Sequence, residues 1–376
     1  MDFSGVYQEK GSSLWSFRLK FDLPNGKVYD SKRKNKYKTK TEASTARTAL
    51  KNEILKNYNK KQSKKRFKEI FDDFFNFYSV DNGYSSVEHL KSIKKKIFPV
   101  FGSFFVDSIT FQDLKNFLYD LARHDYSKSY IDSFYNFFNQ FFSYCVSSGY
   151  IQFSPVSPAI RPNIKENRKD LEVLNNSDFI KICDLLKNTP HLTPFLISYY
   201  CGLRSGEVYA LRFSDLDFET NTITVNKQMQ LQDSKWCFVS TKYDSNRIIE
   251  MPASLSDYLN SLNSISFDNQ IKDKINNKDL IVTDFICVDS NGKALTTRQS
   301  REIKEIIEKS NIDLSISSFH FHLLRHTCCS NLAALNVPLA VLSSYMGHSS
   351  PRTTMQYYTH ITEEGSLYLS KVLSSI

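Results

Sequence analysis

Phenylalanine is concentrated in one part of this 376-residue chain, and its spacing there strongly constrains the fold. Of the 29 phenylalanines, 17 lie between Phe67 and Phe153. They recur three or four residues apart, first at Phe67, Phe71 and Phe74 and again within 134–142. This spacing aligns the rings along one face of a helix, so we predict helices that share an aromatic core. Buried packing explains such stripes better than stacking on nucleic-acid bases does.

The net charge of +9 comes from the N-terminal sixth of the chain. Residues 1–66 contain 18 Lys and Arg against 6 Asp and Glu, whereas the remaining 310 residues carry a net charge of −3. Such a basic segment favours contact with nucleic acid, because cationic side chains that neutralise phosphates release counterions. A solvated tail is the alternative interpretation of the same composition.

Residues 1–62 are predicted to form strands and a helix. Alternating apolar residues within 12–23 indicate a strand, a turn follows at 24–27, and a second strand begins at Val28. Thr41 is predicted to cap the helix that comes next. A basic surface built on strands can enter a groove of duplex DNA. The side chains that we predict to contact DNA here are Arg18, Lys20, Lys32, Arg33, Lys34, Lys36 and Lys38.

Residues 63–160 contain the phenylalanine stripes and are predicted to be helical. Lys94 and Lys95, on a helix of this region, either contact DNA phosphates or line a solvated helix face. A linker is predicted over 154–170, where prolines recur and the apolar periodicity is lost.

The compartment is predicted from what the sequence does not contain. It has no apolar run of about 18 residues and no secretory signal at its N-terminus. Its seven cysteines are scattered without a CxxC pair, which is typical of a reduced environment. We therefore expect a cytoplasmic protein that does not span a membrane.

Residues 161–376 are predicted to form a third unit. Helices are expected near 176–186 and 192–201, followed by a β-hairpin made of 222–225 and 238–251 and then by further helices. Four polar stretches of this unit stand out: GLRSGE at 202–207, TKYDSNR at 241–247, HLLRHT at 322–327 and MGHSSPRTTMQYYTH at 346–360.

Each stretch by itself has an ordinary structural interpretation. Arg204 and Glu207 are typical of a buried ion pair, and Lys242 is typical of a residue at a hairpin tip. His322 and His326 are four apart, a spacing also found in zinc-binding helices. In such helices a Glu follows the first His, whereas Leu323 stands there in this chain, and no cysteine lies at a ligand spacing. We therefore do not expect a metal ion.

Together, the four stretches supply the groups needed to attack a phosphodiester without a metal ion. Two arginines can grip the non-bridging oxygens and neutralise charge in the transition state. A lysine can protonate the departing 5′ oxygen, and a histidine can accept the proton of a tyrosine. The tyrosine can serve as a nucleophile that preserves the bond energy in a phosphotyrosine ester.

With GLRSGE, HLLRHT and MGHSSPRTTMQYYTH in this order over about 155 residues, the chain resembles the tyrosine recombinases. It is most similar to the integrases of temperate phages and conjugative transposons. The resemblance implies a multidomain α+β fold. An arm-type DNA-binding domain with a small sheet and a helix would span 1–62. A helical core-binding domain would span 63–160, and a mainly helical catalytic domain with a small sheet would span 161–376.

The resemblance also implies roles for matching residues. Arg204 and Arg325 would clamp the phosphate. His322 would hydrogen-bond the phosphate and handle the proton of the nucleophile, and His348 would buttress the scissile phosphate. Glu207 would orient a catalytic side chain rather than transfer a proton.

The general acid and the nucleophile each have more than one candidate. Lys242 matches the lysine that would serve as the general acid, with Lys227 and Lys235 as less favoured substitutes. Tyr357 and Tyr358 are adjacent, and the TTM-x-x-Y pattern followed by Thr-His favours Tyr358 as the nucleophile. Because successive helical residues point about 100° apart, only one of the two can face the phosphate.

The resemblance implies a recombinase that integrates and excises a mobile element through a 3′-phosphotyrosyl intermediate and a Holliday junction. Its implied partners are double-stranded DNA with core-type and arm-type sites, further copies of the chain in a homotetramer, and an accessory excision factor. No cofactor is implied. A DNA-binding regulator that kept the fold and lost catalysis is the alternative, although every catalytic position is filled. A chromosome-dimer resolvase is disfavoured by the basic N-terminal segment.

Overall fold

Five stretches of the chain are described by a computed structural model: residues 4–22, 28–60, 65–164, 172–262 and 268–359. They belong to two units, one within residues 1–168 and one within 169–376. Each unit contains both helices and a sheet, in agreement with the predicted α+β class. Within these stretches no helix combines the length and apolar character needed to cross a membrane.

The N-terminal part is an antiparallel sheet covered by one helix. Its strands β1, β2 and β3 lie in that order, and helix α1 packs on them. Phe17 and Leu19 of β2 are about 1% exposed and face the helix side, whereas Arg18 and Lys20 alternate with them and are exposed. The bounds are β1 Val6–Gln8, β2 Trp15–Asp22, β3 Val28–Tyr37 and α1 Lys40–Lys60. The strands predicted over 12–23 and after Val28 are therefore confirmed.

The start of α1 differs from the prediction. The backbone N–H of Glu42 donates to Oγ1 of Thr39 at 3.1 Å, and the Glu42 carboxylate accepts from the backbone of Lys38 at 2.9 Å. The helix consequently begins at Lys40, and Thr39 rather than Thr41 caps it. The sequence TKTE offers two threonines, and the hydrogen bond from the Glu42 backbone N–H selects the first.

Four helices with an aromatic core follow, as predicted from the phenylalanine spacing. Phe141 lies at the centre, with its ring centroid 4.5 Å from that of Phe67 and 5.6 Å from that of Phe74. All three rings are at most 2% exposed. The helices are α2 Phe67–Asp81, α3 Tyr84–Phe101, α4 Phe111–Arg123 and α5 Lys128–Ser147. The predicted boundary between the first two domains falls among residues 61–64, outside the described residues, so it stays a prediction.

The linker predicted over 154–170 is wrong in its first part. Val156 is 3% exposed and Ile160 is fully buried, and both pack into the aromatic core. A single 3₁₀ turn at Pro158–Ile160 brings them there. Burial of these two apolar side chains outweighs the tendency of the neighbouring prolines to form an extended connection. Residues 165–171 lie outside the described residues.

The second unit surrounds one large apolar core with helices and two small sheets. The first two helices have the predicted bounds. The helices are α6 Asn176–Leu186, α7 Leu192–Cys201, α8 Ser205–Val208, α9 Ala253–Ser261, α10 Gln299–Ser310, α11 Phe321–Ala334, α12 Leu339–Met346 and α13 Pro351–Thr359.

The two sheets have the orders β4-β5-β8 and β10-β9-β7-β6. Neighbouring strands are antiparallel, except that β7 and β9 are parallel. The strands are β4 Leu216–Asp217, β5 Thr222–Val225, β6 Gln228–Gln232, β7 Lys235–Val239, β8 Arg247–Glu250, β9 Asn269–Asp273 and β10 Lys278–Val282.

The hairpin predicted from 222–225 and 238–251 is therefore wrong in detail. The chain leaves one sheet at Val239, turns at Lys242–Asp244 and enters the other sheet at Arg247. Lys242 lies on a connection between two sheets and not at a hairpin tip. Strand β5 does pair with β8, but β6 and β7 lie between them in the sequence.

Candidate active site

Three arginines converge on the C-terminal end of α12. Each donates to one of three consecutive carbonyl oxygens: Arg247 Nε to Tyr345 (2.8 Å), Arg325 Nη2 to Met346 (2.5 Å) and Arg204 Nη2 to Gly347 (2.7 Å). The last carbonyls of a helix lack partners within the helix, and Gly347 ends α12 with a φ of +63°. Guanidinium groups from the residue before α8, from β8 and from α11 therefore meet at one helix end. The predicted pair Arg204 and Arg325 is brought together, and Arg247 joins it.

Arg325 is held in the interior by backbone carbonyls. Its side chain is about 1% exposed, and its Nη1 donates to the carbonyl of Gly202 at 2.7 Å. Gly202 has a φ of +62°, a backbone conformation that favours glycine, and a Cβ there would lie 2.8 Å from the end of the Met346 side chain. Burial, followed by the charge of Arg204, lowers the pKa of Arg325 to about 10. Arg325 therefore remains positively charged at neutral pH.

Glu207 links two of the arginines. Its carboxylate, about 1% exposed, accepts from Arg204 Nη1 at 2.9 Å, from the Arg204 backbone at 3.0 Å and from Arg247 Nη2 at 3.0 Å. Burial by itself raises the pKa of Glu207, but the hydrogen bond and charge of Arg247, followed by the charge of Arg204, leave that pKa below its usual value. Glu207 is therefore ionised and orients two guanidinium groups.

Histidines surround the arginine cluster. The ring of His326 lies 4.7 Å from that of His322, and His348 Nδ1 lies 2.8 Å from Oγ1 of Thr354. Burial, followed by neighbouring positive charge, lowers the pKa of His326 and of His348 to about 4. His322 is exposed, yet desolvation and the nearby His326 also lower its pKa. All three imidazoles are neutral at pH 7 and can accept a proton.

The two tyrosines occupy different surroundings. Tyr357 is 3% exposed, and its ring lies 5.8 Å from that of His326 and 6.4 Å from that of His348. Tyr358 is half-buried, and its hydroxyl donates to the carbonyl of Val337. The structure thus places Tyr357 beside the histidines and turns the Tyr358 hydroxyl toward the connection before α12. The identity of the nucleophile stays a prediction.

Of the candidate lysines, Lys242 is exposed and Lys227 is paired. Lys227 Nζ lies 2.6 Å from both carboxylate oxygens of Asp215, whose side chain is 10% exposed. Lys242 lies in the turn before β8, with its Nζ 5.2 Å from the centre of the Tyr243 ring. Lys235 is exposed at the start of β7. The ion pair makes Lys227 a poor substitute for Lys242.

The predicted DNA contacts are mostly exposed. Arg18 is half-exposed and forms an ion pair with Asp30, whereas Lys94 pairs with Asp72 at 3.1 Å and covers the ring of Phe98. Lys94 therefore also links α3 to α2. The exposed members are Lys20, Lys32, Arg33, Lys36, Lys38 and Lys95, and the side chain of Lys34 lies outside the described residues.

Arg247 was missed by the sequence analysis, although a signal for it exists. In β8 and just beyond it, Ile249 and Met251 are buried at 2% and 5% exposure. Because side chains alternate along a strand, Arg247 belongs to the same inward face. A basic residue at an inward strand position indicates a buried ion pair.

A metal site is absent from this cluster as far as the structure describes it. Throughout residues 4–22, 28–60, 65–164, 172–262 and 268–359, no group of three or more His, Cys, Asp or Glu side chains is placed to hold a metal ion. The arginines and neutral histidines are suited instead to bind an anion, such as a phosphate.

Several known proteins are similar to this chain. The chain is 27% identical over 282 residues to a XerC-like tyrosine recombinase of Caldanaerobacter subterraneus, an alignment that covers 68% of each protein. Its fold is similar to that of the Tn1549 transposon integrase bound to a circular intermediate DNA, with a TM-score of 0.68, 17% identity and coverage of 82% of this chain and 99% of that one. It is also similar to the lambda integrase tetramer bound to a Holliday junction, with a TM-score of 0.58, 14% identity and coverage of 93% and 96%.

The family model described as the phage integrase family matches residues 172–364, just over half of the chain. All of the arginines, histidines and tyrosines of the site lie within that match. The protein therefore belongs to the phage integrase family, the family of tyrosine-type site-specific DNA recombinases.

Proposed function

We propose that the protein integrates and excises a mobile DNA element through a covalent 3′-phosphotyrosyl intermediate and a Holliday junction. The observation that carries this proposal is the convergence of Arg204, Arg325 and His348 at the end of α12. A phosphate that enters this site would replace backbone carbonyls as the acceptor for arginine N–H groups. The guanidinium charges would then stabilise the extra negative charge of the pentacovalent transition state.

The nucleophile in this proposal is Tyr358. Tyr357 packs among His326, His348 and the residues around Met346, whereas the TTM-x-x-Y pattern followed by Thr-His favours Tyr358. Tyr358 is more exposed, and its hydroxyl has to give up a hydrogen bond to Val337. Turning α13 by about 100° about its axis would point Tyr358 in the direction that Tyr357 has in this structure.

The chemistry then balances without a cofactor. The Tyr358 oxygen forms a bond to phosphorus as the bond from phosphorus to the 5′ oxygen breaks, and the phenol proton passes to His322. Lys242 donates a proton to the departing 5′ oxygen. In the second half of the reaction, a 5′ hydroxyl from the partner DNA attacks the phosphotyrosine and gives its proton to Lys242, while His322 returns a proton to the departing oxygen of Tyr358. One ester replaces another at each step, so the sequence of steps needs no external energy source.

The partners of the proposed reaction are DNA duplexes and further copies of the chain. The structural relatives named above were solved with a circular intermediate DNA and as a tetramer on a Holliday junction. For this chain we propose four copies on two attachment sites, with core-type sequences bound by residues 63–160 and arm-type sequences bound by residues 1–62. An accessory excision factor would set the direction of the reaction.

Covalent capture of DNA tests the proposal. A duplex from the DNA that flanks the gene, nicked near the exchange point, would be incubated with wild type, Tyr357→Phe and Tyr358→Phe and analysed on denaturing gels. We expect a covalent adduct with wild type and Tyr357→Phe and none with Tyr358→Phe. Loss only in Tyr357→Phe would move the nucleophile by one residue. Binding without an adduct in wild type would favour a non-catalytic DNA-binding regulator.

A further inference from the structure

We propose that Arg247 is a positioning residue of the recombination reaction, which keeps Arg204 available for the phosphate by holding Glu207. The inference rests on the proposed function of this site. The side chain of Arg247 is 7% exposed, and all three of its guanidinium nitrogens contact Glu207 or backbone carbonyls. The acceptors of its hydrogen bonds are all groups of this protein.

Arg247 sets the charge around Glu207. Arg247 Nη1 and Nη2 lie 3.3 Å and 3.0 Å from the two oxygens of that carboxylate, in the forked geometry that guanidinium and carboxylate groups favour. Arg204 shares the same carboxylate through Nη1. The three side chains therefore carry a net charge of +1. Without Arg247, the single negative charge of Glu207 would offset the charge of Arg204, and the phosphate would meet a neutral pair.

Arg247 also contacts two backbone carbonyls. Its Nε donates to the Tyr345 carbonyl at 2.8 Å, and its Nη1 lies 3.3 Å from the Ser245 carbonyl. Ser245 belongs to the connection that carries Lys242, and Tyr345 lies in the last turn of the helix that precedes His348. Arg247 thus joins the connection that carries Lys242, the proposed general acid, to the end of α12, which precedes His348.

Gly347 shows how closely Arg247 packs there. A Cβ at position 347 would lie 3.0 Å from Arg247 Nη1, and the φ of +63° already favours glycine at this position. Lysine could replace only part of this arrangement, because its ammonium group lacks the planar fork that reaches both oxygens of Glu207.

The test compares Arg247→Gln, Arg247→Lys, Glu207→Gln and the double variant Glu207→Gln/Arg247→Gln with wild type. The nicked duplex from the flanking DNA serves as the probe, and the readouts are the single-turnover rate of adduct formation, DNA affinity and melting temperature. Arg247→Gln is expected to slow adduct formation about 100-fold or more, while DNA affinity changes less than about threefold. The double variant, which also lacks the charge of Glu207, should form the adduct at least about tenfold faster than Arg247→Gln.

Arg212→Gln is the matched control. Arg212 donates to Asp284 at 2.6 Å within the same unit, outside the arginine cluster. Its loss should lower the melting temperature without slowing adduct formation. Arg247→Lys should give an intermediate rate, and it retains a cation if Arg247→Gln fails to fold.

Three outcomes would overturn the inference. They are an Arg247→Gln rate within about threefold of wild type, a double variant no faster than Arg247→Gln, and a rate loss that Arg212→Gln reproduces. A wild-type protein that binds DNA without forming an adduct would refute the proposed recombination chemistry itself, and Arg247 would then have no reaction to support.

Discussion

At the scale of single residues, protonation in the arginine cluster is set by burial and by neighbouring charge. His348 lies among Arg325, Arg204 and Arg247, whose charges oppose a further positive charge. The unfolded chain holds its histidines in water, with a pKa near 6.5. The folded protein therefore binds a proton at His348 less readily than the unfolded chain does, and acidification favours unfolding.

We expect His348→Asn to make the free energy of unfolding less sensitive to acid. Between the unfolded pKa near 6.5 and the folded pKa of about 4, wild type should lose on the order of 2 kcal/mol through this residue as the pH falls. Urea unfolding at pH 7 and pH 5 measures the difference. Thr354→Val is the control, because it removes the hydrogen bond to His348 and keeps the titrating ring. Equal pH dependence in wild type and His348→Asn would contradict the assignment.

At the scale of elements, the helices of the first unit depend on interlocking aromatic rings. Phe141 of α5 contacts Phe67, Phe71 and Phe74 of α2 with centroid distances of 4.5–6.4 Å. It is fully buried, so its removal would leave a cavity that rigid neighbours cannot fill.

Phe141→Ala should lower the free energy of unfolding of this unit by about 3–5 kcal/mol. Phe77→Ala is the matched control, because Phe77 is also a phenylalanine that contacts α5, through Tyr144, but it is 56% exposed. Its replacement should cost less than about 1 kcal/mol. Denaturant titrations of both variants distinguish the two cases, and similar losses would show that the exposed and buried rings contribute alike.

At the scale of the whole molecule, positive charge is segregated. The first 66 residues carry +12, and the rest of the chain carries −3. The catalytic cluster supplies local charge for one phosphate, whereas the exposed lysines and arginines of the N-terminal sheet supply charge for a duplex. Affinity for DNA should therefore be separable from catalysis.

Deletion of residues 1–62 should weaken binding to duplexes that contain arm-type sequence and reduce the salt dependence of binding. If about five of the predicted side chains contact phosphates, the slope of log K against log salt should become shallower by about 4.5. Fluorescence anisotropy from low to moderate salt measures this slope. A duplex with core sequence alone is the control, and on it the two proteins should behave similarly. An unchanged slope on the longer duplex would contradict the arm-binding role.

Much of this architecture could be predicted because it depends on local spacing. Phenylalanines three and four residues apart predicted the aromatic helices, and the apolar runs at 176–186 and 192–201 predicted α6 and α7 with their observed bounds. The order of the motifs around Arg204, Arg325 and His348 identified the family. Helical periodicity and short motifs are properties of neighbouring residues, so they can be read without knowing any long-range contact.

Long-range contacts were decided only by the tertiary structure. Pairing of β5 with β8 moved Lys242 from a hairpin tip to a connection between sheets. The arginines at 204, 247 and 325 meet because the starts of α8, β8 and α11 all lie at the C-terminal end of α12. Their choice of acceptors depends on which buried carbonyls and carboxylate lack other partners. That balance involves residues up to 143 positions apart, and no local pattern specifies it.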